Sequence, residues 1–169
     1  MKLAKILKYA LAIIILTSFQ VSLCPYISIF SVMPNIVIAF AISVAINEGP
    51  VSGGIVGLIS GIFIDVLSSG TSIINSITYM YLPVIFGFLN INFFRKNLGV
   101  TVLFTFLSSI ICESLIHFLH YSIIGISPFF YSLFVKIIPI SIYTALISIP
   151  VHYLTVKIFG QTNRRDYIN

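Results

Sequence analysis

Charged side chains are scarce in this sequence. Only 8% of its 169 residues are Asp, Glu, Lys or Arg, whereas 59% are apolar. Because average soluble chains carry about 25% charged residues, a fold that exposes its whole surface to water is excluded. Lipid must cover most of the outside of the folded chain, so the composition predicts an integral membrane protein.

Tryptophan is absent, and the only cysteines are Cys24 and Cys112. Two cysteines this far apart form neither a disulfide scaffold nor a metal motif, so both are expected to pack as small apolar groups. The net charge of +5 does not indicate nucleic acid, because the basic residues flank apolar segments and form no patch interleaved with aromatic residues. The sequence predicts no cofactor.

Six apolar segments follow one another with short turns between them. They cover residues 7–23, 34–47, 51–67, 73–94, 98–124 and 129–159. The second segment is shorter than the roughly 20 residues that a transmembrane helix needs. The sixth is too long for one straight span, so we expect bends at Pro139 and Pro150, or a first part that lies along the membrane surface. The prediction is an all-α protein of about six transmembrane helices, with a single helical domain over residues 1–160 and a short polar tail over 161–169.

The basic residues predict the orientation in the membrane. With a cytoplasmic N-terminus and six crossings, one side receives Lys2, Lys5, Lys8, Arg95, Lys96, Lys157, Arg164 and Arg165. Because Lys and Arg concentrate in cytoplasmic flanks, both termini are predicted to be cytoplasmic. The basic N-terminus followed by an apolar run imitates a signal peptide, but no small-x-small cleavage site follows, so an uncleaved first span is expected.

The third segment contains Gly53, Gly57 and Gly61 at intervals of four residues. On a helix these positions share one face, and a face without side chains lets another helix approach closely in lipid. Helix packing is therefore the favoured role of the three glycines, and direct binding of a ligand is the alternative. Asp65 continues the row one turn later. Its carboxylate must face protein or water, and both a packing role and a functional role remain open.

Few other ionisable residues lie within the apolar segments. Glu113, His117 and His120 share one face of the fifth segment, and Lys136 lies in the sixth. The predicted topology places Asp65, Glu113 and Lys136 in the outer half of the membrane, so Lys136 is expected to pair with one of the two acids. The spacing on the fifth segment permits a metal site, but a polar stripe satisfied inside the bundle is favoured.

Two further ionisable residues are expected at the membrane surface. Glu48 lies in the turn between the second and third segments, and His152 lies near the inner end of the sixth. The sequence contains no phosphate-binding loop, no metalloprotease motif and no arrangement of a nucleophile with a base. An enzyme is therefore not predicted.

The order of several short motifs resembles the rod shape-determining protein MreD family. The similarity is clearest over residues 34–96 and depends on Pro34, Asn35, the turn Glu48-Gly49-Pro50, Gly53, Gly57, Gly61, Asp65, a Ser/Gly turn at 68–70 and Arg95-Lys96. The chain departs from the family pattern after the third segment, where a Leu-Gly pair is missing.

This resemblance implies a non-catalytic subunit of the bacterial cell-elongation complex in the plasma membrane. Family members work with the bitopic protein MreC, the actin-like protein MreB and wall-synthesis enzymes, and they help direct side-wall peptidoglycan synthesis and cell shape. The family is also similar to the substrate-binding subunits of energy-coupling-factor vitamin transporters, which have six helices and bind ligand near the outer face. A bundle of that kind is the expected fold, and a transporter subunit is the alternative function.

Overall fold

The computed structural model describes residues 2–26, 28, 32–67, 74–93, 97–124 and 132–160. Several sequence predictions lie outside these residues: the turns at 68–72 and 125–128, the basic pair Arg95 and Lys96, and the tail over 161–169. The side chain of His120 is likewise outside the described part of the chain.

Six α-helices occur in the described residues. They are α1 (Lys2–Ser22), α2 (Ile36–Glu48), α3 (Pro50–Leu67), α4 (Ile74–Phe93), α5 (Leu98–Ile124) and α6 (Ile138–Phe159), with a π-helical turn (Leu133–Ile137) directly before α6. All except α2 are long and apolar enough to cross a membrane, if the π-helical turn is counted with α6. The predicted helical membrane bundle is therefore confirmed, and the chain is a multi-pass membrane protein.

The short helix α2 lies at the centre of the bundle. Its 13 residues are all buried, and it contacts each of the other five α-helices. At 1.5 Å per residue it is about 20 Å long, whereas the hydrocarbon core of a bilayer is about 30 Å thick. The ends of α2 must therefore find hydrogen-bond partners inside the protein, because water cannot supply them at that depth.

Contacts at the helix ends show that successive helices run in opposite directions. Lys5 near the start of α1 contacts Glu48 at the end of α2, and Thr101 near the start of α5 contacts His152 near the end of α6. We call this the Lys5 end of the bundle. The opposite end, where α2 begins after Asn35, is called the Asn35 end.

Two apolar clusters pack on α2 from different sides. One joins α2 to α4 and α5, and in it the rings of Phe86 and Phe104 lie 5.0 Å apart. The other joins α2 to α1 and α6, and at its edge the rings of Tyr9 and Phe159 stack at 4.0 Å. The core is therefore built around α2.

The last predicted segment is one helical run over residues 133–159. The N–H of Ile138 bonds to the carbonyl of Leu133, five residues back as in a π-helix. Pro139 follows at the start of α6, and α6 continues through Pro150. Since a proline removes one backbone donor and its ring crowds the carbonyl four residues earlier, the wider turn accommodates Pro139 without ending the helix.

Candidate functional site

The glycines of α3 lie where this helix meets α2 and α4. A Cβ added to Gly57 would overlap the main-chain carbonyl of Tyr79, and one added to Gly61 would lie 2.5 Å from the Cα of Ser76. Gly53 approaches the backbone of α2 just as closely. The backbones therefore meet at separations that exclude any side chain at these three positions.

A glycine on α4 completes this contact at the Lys5 end. A Cβ added to Gly87 would lie 2.7 Å from the Cα of Pro50, the first residue of α3. The α3–α4 hairpin is thus closely packed from Pro50 to Ser76. Sequence analysis did not single out Gly87, because an isolated glycine in an apolar helix forms no repeat that would draw attention to it.

Asp65 closes the same hairpin at the Asn35 end. Its carboxylate accepts hydrogen bonds from the Ser76 N–H at 2.9 Å, the Ser76 hydroxyl at 2.5 Å and the Asn75 side-chain amide at 2.9 Å. Both partners lie in the first turn of α4, where N–H groups have no acceptor within the helix and the helix dipole favours a negative charge. Of the two roles left open for Asp65, this geometry favours packing.

The start of α2 is held by side chains from other helices. Asn35 caps the helix by accepting an N–H from its first turn at 3.2 Å, and its amide donates to the Tyr79 hydroxyl of α4. Gln20 of α1 accepts the N–H of Ile36 at 2.8 Å and donates to the carbonyl of Pro34 at 2.9 Å. These bonds supply the partners that a helix starting inside a membrane requires.

Gly49 ends α2 and permits the sharp turn into α3. Its φ of 107° lies in a region that residues with a Cβ rarely adopt, and its N–H bonds to the carbonyl of Ala45 at 3.1 Å. Pro50 follows as the first residue of α3, a position that needs no N–H donor. Pro34, Asn35, Gly49 and Asp65 thus all lie at ends of α2 or α3.

The members of the predicted intramembrane polar cluster lie on α3, on α5 and in the π-helical turn. Asp65 bonds to the first turn of α4, and Glu113 is partly buried on α5. His117 follows Glu113 by one turn of α5 and is partly buried. Among the described residues, no group of three His, Cys, Asp or Glu side chains could hold a metal ion.

Lys136 does not join this cluster. Its side chain is exposed, and in the described part of the chain the ion pair formed by a lysine is that of Lys5 with Glu48. The expected pairing of Lys136 with Asp65 or Glu113 is therefore not found. Lys136 lies in the π-helical turn beside the buried Ile137, and this neighbour faces the interior while Lys136 points away from it.

A buried polar cluster at the Lys5 end joins α2, α5 and α6. The Nδ1 of His152 lies 3.1 Å from the hydroxyls of Ser43 and Thr101 and 3.4 Å from the amide nitrogen of Asn47. His152, predicted near the membrane surface, is buried within the protein, with only 7% of the residue exposed. The sequence contained a signal for this burial, because polar residues recur on one face of α6 at helical intervals: Ser141, Thr144, Ser148, His152 and Thr155.

The pairing of Ser43 with His152 resembles a nucleophile beside its base. Ser43 is fully buried, however, and Thr101 and Asn47 contact the same ring nitrogen. The cluster therefore ties three helices together and does not present a nucleophile to a substrate.

Glu48 belongs to the same end of the bundle. The sequence predicted a solvated charge, but Glu48 is only 8% exposed and accepts a hydrogen bond from Lys5 of α1 at 2.5 Å. This correction follows from the central position of α2, which carries its last residue into the protein. The ion pair ties α1 to α2.

A groove of about 420 Å³ runs along the outside of the bundle between α1 and α3. Its lining is mainly apolar and includes Ile6, Ala10, Ile13, Ser52, Ile55 and Ile59. Each wall contributes one small residue, Ala10 on α1 and Ser52 on α3. Helix α1 is only loosely covered, because Ile13 and Thr17 are its buried side chains among those described. The groove can therefore receive a further apolar segment beside α1.

No protein-family model matches this chain, and comparisons with curated proteins and with solved structures find no match either. The functional assignment therefore depends on the motif residues and on the geometry around them.

Proposed function

We propose that this protein is an MreD-like, non-catalytic membrane subunit of the bacterial cell-elongation complex. The observation that carries the proposal is that the motif residues act together in the fold. Asn35 and Gly49 delimit α2, the glycines bring α3 against its neighbours, and Asp65 caps α4. A motif whose described members organise one packing unit supports a shared fold better than scattered matches would.

A scaffold of this kind acts through contacts within the bilayer. The partner in this proposal is an MreC-like bitopic protein, and its single transmembrane helix occupies the α1–α3 groove. Ala10 and Ser52 line that groove, and small side chains let helix backbones approach closely in lipid. The close packing of α2, α3 and α4 keeps the wall of the groove rigid while the partner binds. Other elongation-complex proteins join through the partner.

The proposed orientation places the Lys5 end and both termini in the cytoplasm. Among the described residues, Lys5, Lys8 and Lys157 lie at that end, as expected for cytoplasmic flanks. The protein then resides in the bacterial plasma membrane, and the bound partner extends its soluble part on the outer side to guide side-wall peptidoglycan synthesis.

A substrate-binding subunit of a vitamin or small-molecule transporter is the second candidate. The observation that favours it is that Asp65 and Glu113 are both partly buried and lie away from the Lys5 end, in the proposed outer half of the bundle. Both oxygens of Asp65 already accept hydrogen bonds from α4, which leaves Glu113 as the acidic group available to a ligand. A bundle like that of energy-coupling-factor substrate-binding subunits is compatible with either function.

Depletion in a rod-shaped host separates the two functions. The elongation proposal predicts wide or round cells, and purification in mild detergent should retain the bitopic partner. Normal cell width with loss of vitamin uptake, together with co-purification of an energising ATPase module, would establish the transporter function instead.

Groove-filling variants test the proposed surface. Ala10→Phe and Ser52→Phe should release the partner and fail to restore cell width, because the new rings occupy its place. Ile85→Phe is the matched control, since Ile85 is 50% exposed on α4 outside the groove. Equal partner retention by all three variants at equal protein level would exclude the α1–α3 groove as the binding surface.

A further inference from the structure

Two rows of small polar side chains face the contact between α5 and α6. We define the hydroxyl seam by its members, Thr101, Thr105, Ser108 and Ser109 on α5 and Ser141, Thr144 and Ser148 on α6. Each of these seven residues is at most 1% exposed. They form the part of the buried polar side chains that lies on α5 and α6.

The contact between Thr101 and His152 sets the register of the seam. Their side chains lie 3.1 Å apart on helices that run in opposite directions. Because one helical turn rises about 5.4 Å, the turn further from the Lys5 end puts Thr105 on α5 at the level of Ser148 on α6. The next turn puts Ser109 at the level of Thr144, whose hydroxyl oxygen accepts the N–H of Asn35 at the start of α2 at 3.0 Å.

The two rows use their hydroxyl groups differently. On α6, Ser141, Thr144 and Ser148 donate to carbonyls of their own helix at 2.8, 2.8 and 2.6 Å. Their protons are therefore engaged. The Thr144 oxygen already accepts the N–H of Asn35, so it has one lone pair left to accept a further hydrogen bond. Within the described residues, the hydroxyls of Thr105 and Ser109 are buried without a hydrogen-bond partner, and so is that of Ser108.

The Lys5 end of the seam is already hydrogen-bonded within the protein. The hydroxyls of Ser43 and Thr101 and the amide of Asn47 surround the Nδ1 of His152, and Thr101 and Asn47 also donate to the carbonyls of Asn97 and Ser43 at 3.4 and 2.9 Å. Among the described residues of the seam, the hydroxyls without a partner are therefore those of Thr105, Ser108 and Ser109, further from the Lys5 end.

We propose that the hydroxyl seam is a binding site for ordered water between α5 and α6. Each water accepts from an unpartnered hydroxyl of α5 and donates to a hydroxyl oxygen of α6. A buried water requires two to four polar partners, and the opposed rows provide them at successive turns. The helices α5 and α6 are then joined by exchangeable hydrogen bonds.

Water-edited solid-state NMR on the full-length protein in lipid bilayers tests this site directly. With threonine labelled, magnetisation from water should reach Thr105 several-fold faster than Thr17. Thr17 is the matched control, because it is equally buried and its hydroxyl already donates to the carbonyl of Ile13 at 2.7 Å. Equally slow transfer to both residues would overturn the proposal.

The sign of a stability change provides a second test. Valine has nearly the shape of threonine, so Thr105→Val removes the hydroxyl and little else. If water is bound, the substitution leaves that water short of a partner and lowers the melting temperature in detergent by more than Thr17→Val does. If the seam is dry, loss of an unpartnered buried hydroxyl leaves the melting temperature unchanged or raises it. An unchanged or raised value contradicts bound water, and the NMR measurement on the unaltered chain applies even if a variant does not fold.

Discussion

The carboxylate of Asp65 at the end of α3 accepts both the backbone N–H and the hydroxyl of Ser76 at the start of α4. The acid that stands out most in the sequence is thereby engaged in holding two helices together. Its charge is stabilised by the first turn of α4, and this explains how a carboxylate is accommodated in so apolar a hairpin.

Substitution of Asp65 should affect stability before it affects any binding activity. We expect Asp65→Ala to lower the free energy of unfolding by about 1–2 kcal/mol, the usual cost of losing a helix cap. Asp65→Asn should cost less, because its carbonyl oxygen can still accept from the Ser76 N–H. Thermal unfolding in detergent measures both. A fully stable Asp65→Asn variant that no longer restores cell shape would instead assign Asp65 a functional role.

The glycine contacts make a prediction with an internal control. Gly57→Ala places a methyl group on the carbonyl of Tyr79, and overpacking of this kind costs about 1–3 kcal/mol or more. Gly99→Ala at the start of α5 meets no atom within 4 Å and should stabilise the helix by about 0.5–1 kcal/mol. Protein level in membranes and melting temperature in detergent compare the two. Equal stability of both variants would show that α3 and α4 are further apart than described.

The two lysines should respond differently to neutralisation. Lys5→Met leaves Glu48 buried without its partner, and we expect a loss below the ~3–5 kcal/mol typical of a fully buried pair, because the Lys5 side chain is 43% exposed. Lys136→Met should leave stability unchanged, since Lys136 is exposed and pairs with neither Asp65 nor Glu113. The double variant Lys5→Met/Glu48→Gln should recover part of the loss. Strict additivity in that double variant would argue against the ion pair.

The cluster around His152 should contribute to the stability of the Lys5 end. His152→Ala removes the hydrogen bonds of a buried side chain to α2 and α5, which should cost about 1–3 kcal/mol. The neighbouring Tyr153→Ala is the control, because Tyr153 is 65% exposed and has no such role. Chemical unfolding in mixed detergent gives both values. A cost no larger than that of the control would mean that His152 does not connect the three helices.

Cysteine labelling of intact cells tests the orientation. A cysteine at Tyr26, which is 87% exposed at the Asn35 end, should react with an impermeant maleimide, and one at Asn97 at the Lys5 end should not. The native Cys24 should contribute little background, because burial raises the pKa of its thiol and only the thiolate reacts. Labelling at Asn97 would reverse the proposed orientation.

Local properties were enough to predict the helices. Long apolar runs, the turn at Glu48-Gly49-Pro50 and the spacing of Gly53, Gly57 and Gly61 are features of neighbouring residues, and a helix in lipid forms its backbone hydrogen bonds within itself. The sequence by itself therefore determined a helical membrane protein, the approximate bounds of its segments and the short length of the second one.

The tertiary structure decided which side chains meet. Nothing near Ser43 in the sequence indicates His152, 109 residues away, and nothing near Lys136 indicates that the π-helical turn points it outward. In lipid, no hydrophobic free energy is gained when the apolar faces of two helices meet, because the lipid tails are equally apolar. Hydrophobicity alone could therefore not place α2 at the centre. Close backbone packing at the glycines and the hydrogen-bonding needs of a short buried helix placed it there, and both depend on all the helices at once.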